Sequence, residues 1–469
     1  MSRLLFILSF LLLSPAPAGA QIPLFGGRLT GGFESGFALY TGDDGPSYGS
    51  NNYLKLDYLR GRLSAGLQME WYPSPMLGYN PSLKGFGVPG KYVAWNATNW
   101  SLTLGDYYEQ FGTGLVLRSW EDRALGWNNS IGGARLVLRT RDNALSAKIL
   151  YGFPRKDLWY APIQVAGASV SWQPGEFSIE AGVVDLIDGK THGIGWSVAP
   201  AWAHNGFTVK AEASGRPGGN AQAVEMTFSA RGFSSALTLR RLDHMYDAFG
   251  MNYLPALCQE QSYMLASLNP YTTFAAGEVG GVIDLFYRHK SWKFHVNGSM
   301  IYALPKALVH YDIYRMAYRD LNMDVEKRWN SRLKTILFVS IQENSPSHGD
   351  RLATDAQNVF VFDGVYRFGK AWSLRAQMQY LYSQELTRDW MAGLLELGIA
   401  PHWSVQVSDM YNHGDTREHY YSAGASFSAG SFKVALSYGH QRAGFVCSGG
   451  VCRWQPEYTG GLFRLNYSF

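Results

Sequence analysis

Cys447 and Cys452 flank Ser-Gly-Gly-Val, and theirs is the spacing that most directly implies covalent chemistry. With four residues between them, two of them glycine, the Cα atoms can come within disulfide range. In an oxidising compartment the pair would close a loop tip; two free thiols are the alternative. No His or further Cys stands close in sequence, so a thiolate metal site is not indicated. The third cysteine, Cys258, is read as a small buried apolar residue.

Nucleophilic chemistry would need a serine with a histidine in reach and a third group to orient it. The eleven histidines form no H-x-x-x-H or HExxH pattern. His295, His413, His419 and His440 read as lumen or loop residues. Asp43-Asp44 and Glu121-Asp122 read as solvated loop carboxylates. Gly31-Gly32 and Gly132-Gly133 have no phosphate-loop lysine beside them. The reading is therefore not an enzyme, with neither cofactor nor metal. A net charge of +4 is too small to indicate nucleic acid.

The elements that carry these residues are strands. Phe463, Leu465, Tyr467 and Phe469 alternate with Arg464, Asn466 and Ser468 up to an aromatic carboxy-terminus. Leu63, Ala65, Leu67, Met69 and Trp71 oppose Arg62, Ser64, Gln68 and Glu70, and similar segments recur along the chain. Period-two alternation over so many segments is what a wall facing lipid outside and water inside demands. Aromatics at 15%, charged residues at only 17% and 52 glycines among 469 residues suit such a wall. No apolar run approaches 20 residues, which excludes transmembrane helices.

Residues 1–20 combine Arg3, an apolar run from Leu4 to Leu13 and a closing Ala18-Gly19-Ala20. That is the pattern of a secretory signal, with the mature domain expected over 21–469. Only about seven residues separate Gln21 from the first expected strand, Arg28 to Thr41, too few for an amino-terminal plug domain.

Tight turns alternate with longer connections. Arg60-Gly61, Thr98-Asn99, Asp142-Asn143, Asn205-Gly206, Gly369-Lys370 and Pro401-His402 mark the tight ones. Trp100, Phe177, Phe207, Phe233, Trp292, Trp372, Trp403 and Phe432 follow tight turns closely, as an interfacial girdle requires. Longer connections are expected at 42–51, 73–89, 109–130, 153–164, 186–193, 215–221, 243–277, 304–321, 343–357, 383–389, 412–419 and 441–456. The pattern predicts an all-β, antiparallel up-and-down transmembrane barrel of about 24 strands, within roughly 20 to 26. Its turns would be periplasmic and its loops external.

A ring of 24 strands has a circumference of roughly 150 Å and a diameter of roughly 45–50 Å. An empty tube of that width would leak metabolites, so loops should enter it. Residues 251–277 carry a single charge, Glu260, and so suit burial in the mouth. Gly105 to Leu136 is the other candidate, with Glu109, Arg118, Glu121, Asp122 and Arg123 as constriction charges. Inward charges on the wall would be Arg62, Glu70, Glu180, Lys210, Glu212, Arg240, Arg288, Arg375, Lys433 and Arg464. They would either bias a pore toward anions or pair with one another to brace it.

The stretch GDYYEQFGTGLVLRSWEDRALGWNNSIGGARL (105–136), the VEKRWN of Val325 to Asn330 and the aromatic closing strand together resemble a family of Bacteroidota outer-membrane barrel proteins with no assigned activity. The resemblance implies location in the outer membrane of a Gram-negative cell and a barrel fold; it supplies no site residues. The functional expectation is porin-like passage of small or medium solutes through a loop-constricted lumen, with outer-membrane lipid around the wall. A non-conducting scaffold for a surface lipoprotein or a secretion or assembly partner is the alternative. A membrane-embedded enzyme is third.

Overall fold

The computed structural model describes residues 21–42, 45–245, 250–274, 276–351 and 353–469. The expected signal segment 1–20 and the pair Asp43-Asp44 lie outside the described residues. The chain forms a closed antiparallel barrel. Of 26 hydrogen-bonded strands, Ile22–Leu24 and Trp159–Tyr160 are short side pieces, leaving 24 in the wall. Each wall strand pairs with its sequence neighbour, and Gly27–Thr41 closes the ring on Tyr458–Ser468, with Phe37 opposite Phe463.

Alternation decides which way each side chain points. Along Asp355–Phe368, Gln357, Val359, Val361 and Asp363 are buried inside, while Phe360 and Phe362 are exposed on the outer face. Closure of the ring lets the backbone groups of the strands pair with one another, which a membrane demands, and the apolar outer row faces the lipid.

All eight aromatics expected just past tight turns are the first residues of their strands. Several meet an aromatic of the neighbouring strand. The rings of Trp403 and Phe427 are 4.8 Å apart, and those of Trp202 and Phe207 6.0 Å.

Two connections depart from expectation. Residues 186–193 and 215–221 are not long loops: strands run to Asp188 and Arg216 and turn through Gly189-Lys190 and Pro217-Gly218. Gly189 (φ 60°) and Gly218 (φ 80°) supply the positive φ that so short a turn needs. Strands also extend further than expected at Tyr48 and Arg315, shortening those loops to 42–47 and 304–314. Alternation ends where the lipid does, but hairpin pairing continues beyond it.

Candidate functional site: a plug built from three inward segments

The described residues of the long connections 108–130, 244–276 and 442–457 enter the lumen from the loop end and meet there. The first begins on an ionic anchor. Glu109, buried, accepts from Arg135 Nε at 2.5 Å and Lys148 Nζ at 3.0 Å, both on neighbouring wall strands. Phe111, Leu115, Val116 and Leu117 then bury against inward wall residues that include Leu150, Val165, Val184 and Leu186. The Phe111 ring occupies space left by a wall glycine: a Cβ on Gly182 would stand 2.9 Å from it. Thr113 N donates to the Glu212 carboxylate on the eleventh wall strand, Phe207–Arg216.

Further on, the same segment reaches the far wall. Glu121 accepts from Gln68 Nε2 at 2.7 Å. Arg123 Nη1 lies 2.7 Å from Glu34 Oε1 on the first strand, with its guanidinium 4.9 Å above the Tyr53 ring. Strands one and eleven stand well apart in a ring of 24, so the segment spans the lumen.

The second segment is tied to the first. Arg118 donates through its backbone N to Met251 O (2.6 Å) and through Nη1 to Tyr253 O (2.6 Å). Residues 251–274 then follow the wall. Leu257 and Tyr271 pack on Ile301 and Tyr318, and Leu265, Ala266 and Leu268 on Phe338, Val359, Val361 and Leu381. Wall amides hold its backbone: Gln342 Nε2 donates to Ala266 O at 3.1 Å, and Leu265 N donates to Gln379 Oε1 at 3.1 Å. The low charge of 251–277 thus reflects burial against inward apolar side chains.

The third segment is a hairpin, Gly444–Ser448 paired with Val451–Gln455. It joins the other two. Ser448 Oγ donates to Asp122 Oδ2 at 2.5 Å and Arg453 Nε to Ala124 O at 2.9 Å. Ala256 N donates to Gly450 O at 3.0 Å and Gly450 N to Glu260 Oε2 at 3.2 Å. Cys447 and Cys452 stand opposite each other at its tip with their sulfurs 2.02 Å apart. We propose that the native protein carries this disulfide. A ring this small removes about 2 kcal/mol of chain entropy from the open hairpin. Protein unfolded without reductant should therefore alkylate at Cys258 alone, and at all three cysteines after reduction. Two further labelled thiols before reduction would refute the pairing.

The ten expected wall charges fall into two groups. Glu70, Glu180, Glu212, Arg240 and Arg375 have partners. Glu70 meets Arg155 (2.6 Å), Glu180 meets Lys148 (3.9 Å), Arg240 meets Glu278 (3.0 Å) and Arg375 meets Asp363 (2.7 Å). Glu70, Glu212 and Arg240 are buried under the plug and do not line open lumen. By contrast Arg62, Lys210, Arg288, Lys433 and Arg464 are exposed and form no ion pair among the described residues. All five lie in the turn-side half of the wall or in a turn.

Arg155, Lys148, Glu278 and Asp363 are the partners that pattern reading missed, Asp363 facing inward from mid-strand. Arg155 and Glu278 sit at the loop ends of strands, where parity gives way to connection, and Lys148 carried no signal beyond its inward parity. His295 bridges Asp284 (2.9 Å) and Asp324 (2.7 Å) across neighbouring strands as a cross-strand brace. Among the described residues no group of three or more His, Cys, Asp and Glu is arranged to hold a metal ion.

A closed ring of 24 antiparallel strands with an apolar outer face and a lumen entered by its own loops is a β-barrel of the outer-membrane type. The chain belongs to the Family of unknown function (DUF6029), whose model matches residues 1–182 and 196–469. Among solved structures it is similar to the translocation pore of the P pilus usher PapC, with a TM-score of 0.51 at 10% identity over 94% of this chain and 99% of that one. The copper transporter OprC gives a TM-score of 0.46 at 10% identity over 95% and 80% of the two chains. OccAB3 of Acinetobacter baumannii gives 0.39 at 10% identity over 96% and 99%. At these identities the likeness is one of fold. No curated protein matches the chain.

Proposed function

We propose that the protein resides in the outer membrane of a Gram-negative, Bacteroidota cell as a gated channel for small or medium solutes. On this reading the segment 1–20 is removed, the tight turns face the periplasm and the plug faces outward. The observation that carries the reading is the division of the lumen. Its outer half is closed by segments held through ion pairs and side-chain-to-backbone bonds, which can rearrange without breaking the wall. Its inner half presents five cations without ion-pair partners, a field suited to anions.

Purified protein in planar bilayers should give current above the lipid baseline, with a reversal potential favouring anions in a salt gradient. Absence of current would sink the channel reading. The double variant Lys433→Glu, Arg464→Glu should move the reversal potential toward cations while leaving thermal unfolding unchanged. An unmoved potential would show that these cations do not line the path.

One feature favours a partner-binding scaffold instead. Val309, Ile313 and Tyr314 on the 304–314 loop are 86%, 57% and 59% exposed at the loop end. Stoichiometric co-purification of a surface lipoprotein or assembly partner, lost on replacing these three by serine, would support that second reading.

A further inference from the structure

At the loop end, the strand termini at Asn344, Asp355, Trp390 and Asn412 surround a cavity of about 450 Å³. That volume lies within the usual range for small-ligand sites. Plug residues 268–272 contribute to its lining, and Arg442 and Phe445, at the base of the hairpin, contribute another side. The Trp390 ring is fixed there: its indole N–H donates to Thr387 O at 2.9 Å, and the ring stacks 5.9 Å from Tyr420.

The charged groups in this cavity differ in how far they are used. The Asp355 carboxylate is consumed by the fold. It accepts from Asn269 Nδ2 (3.2 Å), Gln357 Nε2 (2.8 Å), Ser383 Oγ (3.4 Å), Thr387 N (3.2 Å) and Thr387 Oγ1. Arg442 has far less. Nη2 donates to Leu268 O at 2.9 Å, the guanidinium stands 5.9 Å over Trp390, and no ion pair forms among the described residues. A guanidinium carries five N–H donors in a fork that fits a carboxylate. Burial lowers the pKa of Arg442 from its ordinary value, as expected of a cation short of counter-charge. On the rim, Asp415 is exposed, and its carboxylate has no hydrogen-bond partner among the described residues.

We propose that this cavity binds a small polyhydroxylated carboxylate, a sugar acid. Arg442 holds the carboxylate. The exposed ring of Phe445 covers a C–H face of the sugar, Trp390, buried against Tyr420 and the Arg442 guanidinium, backs the cavity wall, and Asn412 and Asp415 take hydroxyls. Two aspartates in the lining disfavour a dianion such as phosphate, whereas a single carboxylate with hydroxyls satisfies both kinds of group. Binding here does not depend on conduction, so the site and the channel stand or fall separately.

Calorimetric titration of the detergent-solubilised full chain with glucuronate, and with glucose as the uncharged control, tests the site. Saturable binding of glucuronate is expected, at least about tenfold tighter than glucose, as a charge-assisted pair provides. Arg442→Gln should reduce glucuronate to the level of glucose. Phe445→Ala, which leaves the Arg442–Leu268 bond untouched, should weaken both sugars and retain the preference. No saturable heat with glucuronate, equal affinity for the two sugars, or a preference that survives Arg442→Gln would each overturn the proposal. So would a Phe445→Ala variant that binds both sugars as tightly as the parent.

Discussion

Replacing residues 112–127 by a short Gly-Ser turn is expected to convert a narrow, loop-blocked lumen into a wide pore. This stretch supplies the apolar wedge Leu115 to Leu117 and the Arg123–Glu34 contact across the lumen. It also holds Arg118, which fastens the second segment, and Asp122, which receives the hairpin through Ser448. Removing it therefore takes away the bridge across the lumen and detaches the other two segments from the first, while the second keeps its contacts to the wall and the hairpin its contacts to the second. The wall should survive, because each strand keeps its own ladder and the ring remains closed between Gly27–Thr41 and Tyr458–Ser468. Single-channel current should rise severalfold over the parent. Cells carrying the variant should become sensitive to antibiotics too large for ordinary porins. A folded variant with unchanged current and unchanged sensitivity would show that this segment does not obstruct the path.

The second large effect should come from Arg155. Its two terminal nitrogens reach Glu70 at 2.9 Å and 2.6 Å, and both side chains are nearly inaccessible. Tyr72 and Gln68 complete the shell of the carboxylate, and Gln68 also holds Glu121 of the plug. Arg155→Ala would leave a buried carboxylate without its counter-charge, at a cost of roughly 3–5 kcal/mol. Removing both charges, Arg155→Met with Glu70→Gln, should cost much less because no uncompensated charge remains. Arg155→Lys should fall between them, since an ammonium cannot reproduce the two-pronged contact. Thermal unfolding in detergent, followed by heat-dependent gel mobility, orders the three variants. A double variant as unstable as Arg155→Ala would show that packing, rather than charge, holds this corner.

How far the molecule could be read from its residues depends on the range of the constraint. The wall was legible because its rule is local. Leu63, Ala65 and Leu67 must face lipid, and so their neighbours must face inward, whatever lies elsewhere in the chain. The girdle was legible for the same reason: Trp100, Phe177 and Phe432 mark one membrane level from their position beside a turn. Closure of the first strand on the last follows once every intermediate strand pairs with its neighbour. The two-residue turns at Gly189 and Gly218 were misjudged because hairpin length beyond the membrane answers to backbone geometry and carries no lipid signal.

The inward charges show the limit more sharply. Parity located Glu70, Glu212 and Arg240 on the inner face, but parity does not distinguish open lumen from a surface covered by a loop. That distinction rests on contacts such as Thr113 with Glu212 and Arg240 with Pro255 O (2.9 Å).

From sequence alone came the barrel, a strand number of about 24 and, apart from the connections at 186–193 and 215–221, the alternation of turns and loops. All follow from spacing between near neighbours under one external condition, an apolar membrane. Tertiary structure alone decided what those loops touch: Arg123 on Glu34, Ser448 on Asp122, Arg442 on Leu268 O with no ion pair among the described residues. These contacts join residues tens to hundreds of positions apart, and no periodic rule binds such residues. Only the three-dimensional packing of loops against a curved wall can choose among the partners available to them.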